Sequence, residues 1–325
     1  MFRILALLLS LVAANACASG YVSHPAYPAF EAKMIREHGF KAGELRELFG
    51  KAERKDAILE AIARPAEKRL TWGEYRRIFI TPARIDGGVA FWRENHEVLA
   101  QAAKRFGVDP EIVVAIIGVE TRYGGNMGSY RVIDALATLA FDYPPRSAFF
   151  GGELEQFLVM AREQGFDALQ LKGSYAGAMG MGQFIPSSFR AYAVDFDGDG
   201  RADIWSNRAD AIGSVANYFS RHGWTAGGHV VDRASAVGTV ATDRMNPGLE
   251  PNTPVAELPG LGLSPRTALP AAERVLPLML ESDEGTEYWL GRHNFYVITR
   301  YNRSPLYAMA VHQLSQEILA ALRQP

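Results

Sequence analysis

Apolar residues recur at helical spacing through most of this 325-residue chain. Leu154, Phe157, Leu158 and Ala161, for example, fall at positions i, i+3, i+4 and i+7, which form one face of an α-helix. The same spacing and end signals predict ten helices, at 29–38, 42–52, 55–63, 88–106, 109–123, 132–141, 153–164, 209–222, 270–280 and 306–323. The pattern therefore predicts a mainly α fold of the α+β class rather than an alternating α/β one.

Residues 224–268 have a different character. Prolines and glycines interrupt any regular repeat of apolar residues in this segment. Short apolar runs at 229–232 and 237–241 are compatible with strands. We predict a small β-rich or irregular insertion here, after a multi-helix core at about 70–223 and before a C-terminal helical part that closes a cleft. Residues 19–28 are predicted to form a loosely held arm ahead of the region 29–325.

The segment 111–120 is the most unusual of the predicted helices. Every position between Glu111 and Glu120 is apolar or glycine, so the helix is expected to be buried all round, with Glu120 in its last turn. Burial and the negative end of the helix dipole both favour the neutral acid. A carboxyl group kept protonated near neutral pH suits general-acid cleavage of a glycosidic bond. The alternatives are a surface Glu at a frayed helix end and a structural carboxylate paired with Arg122 or another cation.

Composition and the N-terminus narrow the class of protein. The net charge of −2 argues against a nucleic-acid partner. Residues 1–18 have a basic start, an apolar stretch and small residues at a cleavage site, as in a signal peptide. We therefore expect export to the periplasm. Cys17, the single cysteine, is either incidental to the signal or the lipidated residue of an outer-membrane lipoprotein.

A second unusual stretch covers residues 173–188, where glycines alternate with small residues, methionines and aromatic residues. Glycine there carries a cost in conformational entropy, which close approach of the backbone to a ligand would justify. Close packing between helices explains the pattern equally well. The spacing does not match a dinucleotide-binding loop.

The motifs together resemble the membrane-bound lytic murein transglycosylase B family. The resemblance is carried by residues 120–124, 173–188, 210–218 and 294–302, in that order, and extends over about 30–323. It implies a lysozyme-like, mostly helical fold. It also implies cleavage of the β-1,4 bond between N-acetylmuramic acid and N-acetylglucosamine in peptidoglycan glycan strands, leaving 1,6-anhydromuramoyl ends without addition of water.

The resemblance also implies roles for individual residues. Glu120 corresponds to a single catalytic acid and base, and Ser174 to a hydroxyl that supports the substrate N-acetyl group or the acid. A turn serine that bonds the local backbone is the alternative for Ser174. The remaining cleft positions implied are Gln183, Tyr75, Tyr218, Tyr301, Asn302, Tyr307 and, as a saccharide or peptide-carboxylate contact, Arg146.

A third signal is an acidic loop that resembles the first half of an EF-hand. Acids occupy loop positions 1, 3, 5 and 9: Asp195, Asp197, Asp199 and Asp203. The carbonyl of Arg201 is available at position 7, but Ser206 stands at position 12 where a bidentate Glu is expected. On the family pattern Asp210 closes a lengthened loop. We expect a structural Ca²⁺, with an Asp-Gly surface turn as the alternative.

Several other classes of function lack support. No histidine pair has zinc-site spacing, and neither a nucleophile elbow nor a P-loop occurs. The leading interpretation is an exported lytic transglycosylase, acting as a monomer and needing no organic cofactor. The rivals are a hydrolytic muramidase, a non-catalytic peptidoglycan-binding lipoprotein and a calcium sensor.

Overall fold

The computed structural model describes residues 20–63 and 70–324. The predicted signal peptide and Cys17 lie outside these residues. The described helices are α1 (Tyr27–His38), α2 (Ala42–Lys51), α3 (Asp56–Ala63), α4 (Trp72–Phe79), α5 (Pro82–Glu94), α6 (His96–Phe106), α7 (Pro110–Thr121), α8 (Val132–Asp142), α9 (Ser147–Glu163), α10 (Pro186–Tyr192), α11 (Arg208–Arg221), α12 (His293–Tyr301) and α13 (Pro305–Leu322).

The described strands form a two-stranded and a five-stranded sheet. They are β1 (Tyr130–Arg131), β2 (Lys172–Gly173), β3 (Val231–Ala236), β4 (Thr253–Pro254), β5 (Leu263–Pro265), β6 (Arg274–Ser282) and β7 (Gly285–Gly291). β1 pairs with β2, and the larger antiparallel sheet has the order β4-β6-β7-β3-β5. The fold is thus mainly helical with a small sheet, as the hydrophobic pattern predicts.

The predicted helix at 270–280 is wrong, because β6 occupies most of this segment. The run is apolar on both faces: Leu276 and Leu278 pack into the main core, while Val275 packs into a smaller core within the β region. A run buried on both sides has no diagnostic period. Pro277 was a signal against a helix interior. The β region consequently extends to Gly291, beyond the predicted limit at 268.

Other boundaries also differ from those predicted. The predicted helix 88–106 is two helices, because the Asn95 side chain donates to the Phe91 carbonyl and ends α5. The pattern missed α4, α10 and α12, and β3 overlaps only the first of the two predicted strands. Each missed helix has seven to nine residues, too few to display several turns of periodicity.

Residues 20–28 do not form a loose arm. Tyr21 and Tyr27 are buried, and the Tyr21 hydroxyl donates a 2.7 Å hydrogen bond to Asp142 at the end of α8. The Tyr21 ring also packs on Phe141. Two large aromatic rings in a short segment gain enough from burial to hold it against the helices.

The ends of several helices lie close together at the last turn of α7. Helix α13 packs against both α7 and α5, and α12 packs against α13. This arrangement brings residues 301–307 to the last turn of α7, far from them in sequence. None of the helices in the described residues is both long and apolar enough to cross a membrane.

Candidate active site

Glu120 lies in the last turn of α7, as predicted. Residues 112–119, which precede it, are all buried, with Val114 to Ile117 at 0% exposure. Pro110 fills the first helical position, but the Asp109 side chain does not cap the helix; it accepts a 3.0 Å hydrogen bond from Trp224 Nε1 instead. The helix ends at Arg122, which adopts the left-handed conformation two residues before Gly124.

The Glu120 carboxyl group has one hydrogen-bond partner among the described side chains. The Tyr307 hydroxyl donates to its Oε1 at 2.6 Å. Burial raises the pKa of Glu120 to about 7, and the Tyr307 hydrogen bond opposes part of that rise. Within the described part of the chain, no cation pairs with Glu120 or contributes to the shift of its pKa. The alternative of a structural ion pair with Arg122 is therefore wrong.

Two more tyrosines lie within electrostatic range of Glu120. Burial is the main reason that the pKa values of Tyr75 and Tyr301 are raised, and the Glu120 charge is the second. The Tyr301 hydroxyl donates to the Gly182 carbonyl at 2.5 Å. Tyr218 lies behind Tyr301, with ring centroids 4.7 Å apart, and donates to the Arg300 carbonyl. Three of the predicted cleft tyrosines, Tyr75, Tyr218 and Tyr301, thus form one cluster with a fourth, Tyr307.

The glycine-rich stretch lies against the last turn of α7. The Thr121 hydroxyl donates a 2.9 Å hydrogen bond to the Met181 carbonyl, which ties the two segments together. A Cβ on Gly182 would lie 2.9 Å from the Tyr301 hydroxyl. The glycine therefore serves close approach of the loop to a cleft tyrosine. Sequence reasoning missed Thr121, whose position directly after Glu120 was the available signal.

Ser174 and Gln183 hold the loop in shape. Ser174 Oγ accepts from the amides of Ala176 and Ala178 at 3.3 and 3.0 Å, which is the turn role weighed as its alternative. Gln183 has a left-handed backbone, with φ of 51°, and its Nε2 donates to the Gly180 carbonyl at 2.9 Å. In the described residues no direct hydrogen bond links either side chain to Glu120.

Asn302 and Arg146 are less closely tied to the cluster. Asn302 is exposed and follows Tyr301 at the end of α12. The Arg146 guanidinium lies over the rings of Phe149 and Phe150, at 4.3 and 5.0 Å from their centroids. Within the described chain, no hydrogen bond or ion pair brings Arg146 to the tyrosine cluster.

The acidic loop is brought together with the start of α11. Carboxylate oxygens of Asp195, Asp197, Asp199 and Asp210 lie within 4.8 Å of one another. Asp210 is fully buried, and its two oxygens accept from the amides of Phe196 and Asp203, each at 2.7 Å. Burial raises the pKa of Asp210, the two backbone hydrogen bonds lower it, and the charges of Asp197 and Asp195 raise it again, so that the pKa is raised overall.

This donor set fits a hard cation that takes oxygen ligands. Three backbone amides, from residues 198 to 200, orient the Asp195 carboxylate. The Arg201 guanidinium lies over the Phe166 ring and 3.6 Å from Asp203, so only its carbonyl is a candidate ligand. A cation would relieve the mutual repulsion of four carboxylates.

Comparison with known proteins decides the family. Residues 23–316 match the family described as Transglycosylase SLT domain. The chain belongs to this family. It is 44% identical over 310 residues to membrane-bound lytic murein transglycosylase B of Escherichia coli, covering 93% of this chain and 84% of that protein. Both observations agree with the resemblance inferred from the motifs.

Solved structures support the same assignment. Soluble lytic transglycosylase SltB1 from Pseudomonas aeruginosa superposes with a TM-score of 0.88 at 54% identity, covering 91% of this chain and 99% of that one. Lytic transglycosylase Slt35 of Escherichia coli, solved in complex with calcium, gives 0.87 at 45% identity, covering 94% and 96%. The predicted lysozyme-like, mainly helical fold is confirmed, and the chain is a transglycosylase-family enzyme.

Proposed function

We propose that this protein is a peptidoglycan lytic transglycosylase with Glu120 as its single acid and base. It would cleave the β-1,4 bond between N-acetylmuramic acid and N-acetylglucosamine and leave a 1,6-anhydromuramoyl end. The observation that carries the proposal is the Glu120 carboxyl group, whose pKa is raised to about 7 by burial while Tyr307 donates to it. The group is poised to exchange a proton near neutral pH.

In the first step, protonated Glu120 gives its proton to the glycosidic oxygen as the C1–O bond breaks. The bonding electrons leave with that oxygen, and the N-acetylglucosamine end departs with a hydroxyl group. In the second step, the muramoyl C6 hydroxyl attacks C1 and gives its proton to the Glu120 carboxylate. The acid is thereby restored, and no water enters the product.

The surrounding tyrosines support both halves of this cycle. The Tyr307 hydrogen bond stabilises the carboxylate that exists between the steps, whereas burial favours the acid that begins them. Tyr75 and Tyr301 offer ring faces and hydroxyl groups of the kind that bind pyranose rings and acetamides. Ser174 would act through the fold of the glycine-rich loop.

A second carboxylate is the feature that would favour hydrolysis. Two-carboxylate glycosidases place their acids about 5 to 9.5 Å apart. Among the residues that the structure describes, no acidic side chain contributes to the pKa shift of Glu120. This observation favours attack by the substrate's own hydroxyl over attack by an activated water.

Product analysis tests the proposal. Digestion of sacculi followed by mass spectrometry should yield anhydromuramoyl ends that are lighter by one water than the hydrolytic products. Reducing muramic acid alone would establish the muramidase alternative. Binding to sacculi with neither product would establish the non-catalytic alternative.

We also propose that the acidic loop holds a structural Ca²⁺ through Asp195, Asp197, Asp199 and Asp210, with the Arg201 carbonyl. The support is the convergence of four carboxylates and the calcium complex of the related Slt35. A bound cation would supply charge neutralisation and would brace the loop against α11. The described residues contain no second EF-hand-like acidic loop, so a calcium-sensor role lacks support.

For localisation we propose export to the periplasm, with Cys17 as a lipid attachment point. The support is the signal-like sequence of residues 1–18 and the related Escherichia coli protein, which is named as membrane-bound. Intact-mass measurement of the protein from membranes tests this proposal. An unmodified N-terminus with Cys17 removed would contradict it.

A further inference from the structure

A pair of arginines forms a separate pocket beside the end of α7. Arg84, in the first turn of α5, and Arg122, which follows α7, both line a cavity of about 360 Å³. Arg84 is only 9% exposed, and its buried Nη1 has no hydrogen-bond partner among the described residues. An unpartnered buried guanidinium is costly, and arginine does not relieve the cost by losing its proton.

No charge in the pocket compensates for these two cations. The residues lining it include no acid, and within the described chain no carboxylate contributes to the shift of the Arg84 pKa. Burial, and then the Arg122 charge, lower the pKa of Arg84. The Arg84 guanidinium also lies 5.0 Å from the centre of the Phe79 ring, which offsets only a small part of the cost.

The backbone around the pocket adds positive potential and sets its position. The first turn of α5 contains no acidic residue, so the positive end of its dipole is uncompensated there. Arg122 and Tyr123 both have left-handed backbones, with φ of 53° and 61°. The Tyr123 hydroxyl donates to the Arg84 carbonyl at 2.7 Å, which fixes this turn beside α5.

We propose that Arg84 and Arg122 form a binding site for one oxyanion of the carboxylate or phosphate class. The anion would bridge the two guanidinium groups, which match the planar geometry of such groups. Arg122 is two residues from Glu120 in the sequence, but among the described residues it contributes neither a hydrogen bond nor a charge effect to the Glu120 carboxyl group, so the site is distinct from that group. Two sources could supply the anion: a carboxylate on the peptide of the substrate, or a small anion in solution.

Titration with inorganic phosphate tests the site independently of activity. The mature wild-type chain should bind phosphate saturably, as followed by the Nε–H resonances of its arginines and by thermal stabilisation, and Arg122→Gln should weaken binding at least about tenfold. Arg93→Gln is the matched control, because it removes one exposed positive charge from α5 at a position that does not line the pocket. Absence of saturable binding, or equal binding by Arg122→Gln and Arg93→Gln, would overturn the proposal.

A comparison of two substrates identifies the source, and this arm alone rests on the proposed function. KM of wild type and Arg122→Gln would be measured on glycan strands with and without their peptides. An increase in KM confined to peptide-bearing strands assigns the site to a peptide carboxylate. Equal behaviour on both substrates, with phosphate binding intact in wild type, assigns it to an anion from solution. Inactivity of the wild type on both substrates would count against the proposed function, while the phosphate titration would still decide the site.

Discussion

The Tyr307 hydroxyl donates a 2.6 Å hydrogen bond to Oε1 of Glu120, across 187 positions of sequence. Tyr307 is 2% exposed, at the start of α13, and Ser304 caps that helix by accepting from the Tyr307 amide. The acid and its partner therefore sit on two helices that pack directly against each other. The hydrogen bonding of the Glu120 carboxyl group, and with it the pKa of that group, therefore depends on the packing of α13 against α7.

Glu120→Gln should remove the proton that the first step requires while keeping the shape of the side chain. We expect turnover on sacculi to fall by about 10² to 10⁴-fold, the usual contribution of a general acid, with binding retained. Glu111→Gln is the matched control, since Glu111 is at the other end of α7 and burial also raises its pKa. Full lytic activity in Glu120→Gln would exclude Glu120 as the acid.

Tyr307→Phe should change the pH dependence of the reaction. The hydrogen bond lowers the pKa of Glu120 against the effect of burial, so its loss should raise that pKa above about 7. Because the protonated form starts the reaction, the fall of kcat/KM at high pH should move upward, by about one pH unit. Tyr218→Phe removes a hydroxyl that is bonded to a backbone carbonyl, and it should leave the high-pH fall of kcat/KM at the same pH as in wild type. If that fall did not move in Tyr307→Phe, the assignment of Glu120 as the acid whose pKa Tyr307 lowers would be contradicted.

Glu120 should also make stability depend on pH. Its pKa is raised in the folded state from 4.5 to about 7, so between these values the folded state binds more protons than the unfolded state. Stability should consequently fall as pH rises through that window, by about 3 kcal/mol in total from this group. The free energy of unfolding of wild type minus that of Glu120→Gln, measured from pH 4 to 8, checks the sign. If this difference in the free energy of unfolding did not change with pH, the pKa of Glu120 would not be raised in the folded state.

Gly182→Ala should disturb the contact between the glycine-rich loop and Tyr301. The added Cβ would lie 2.9 Å from the tyrosine hydroxyl and 3.1 Å from Val215, so we expect a loss of about 1 to 3 kcal/mol and reduced activity. Gly151→Ala is a suitable control in α9, because nothing lies within 4 Å of its added Cβ. Thermal unfolding and turnover of both variants would test this. Equal behaviour of the two would refute the close approach.

Removal of divalent cations should destabilise the acidic loop. We expect EDTA to lower the Tm and Ca²⁺ to restore it, with a stabilisation of about 2.7 kcal/mol at a hundredfold excess over Kd. Asp210→Asn should abolish the Ca²⁺ response, whereas Asp86→Asn, an exposed acid on α5, should retain it. A Tm that is indifferent to EDTA and Ca²⁺ in wild type would rule out the structural cation.

Local pattern was enough to predict much of the site. The apolar run that ends in Glu120 determines a buried helix with a carboxyl group in its last turn, because the apolar character of the helix is encoded within a dozen residues. The glycine-rich stretch and the acidic loop are likewise local. Their motifs carried the family resemblance that the comparisons confirm.

Tertiary structure decided which groups meet. Sequence spacing left Arg122 as a possible partner of Glu120, whereas the fold places Arg122 beside Arg84 and supplies Tyr307 instead. The strand β6 was mistaken for a helix, since its apolar residues face two separate cores. The sequence by itself determined the helix, the loop and the acid. Packing between segments far apart in the chain determined the pKa, because desolvation and hydrogen bonding depend on neighbours that no local period specifies.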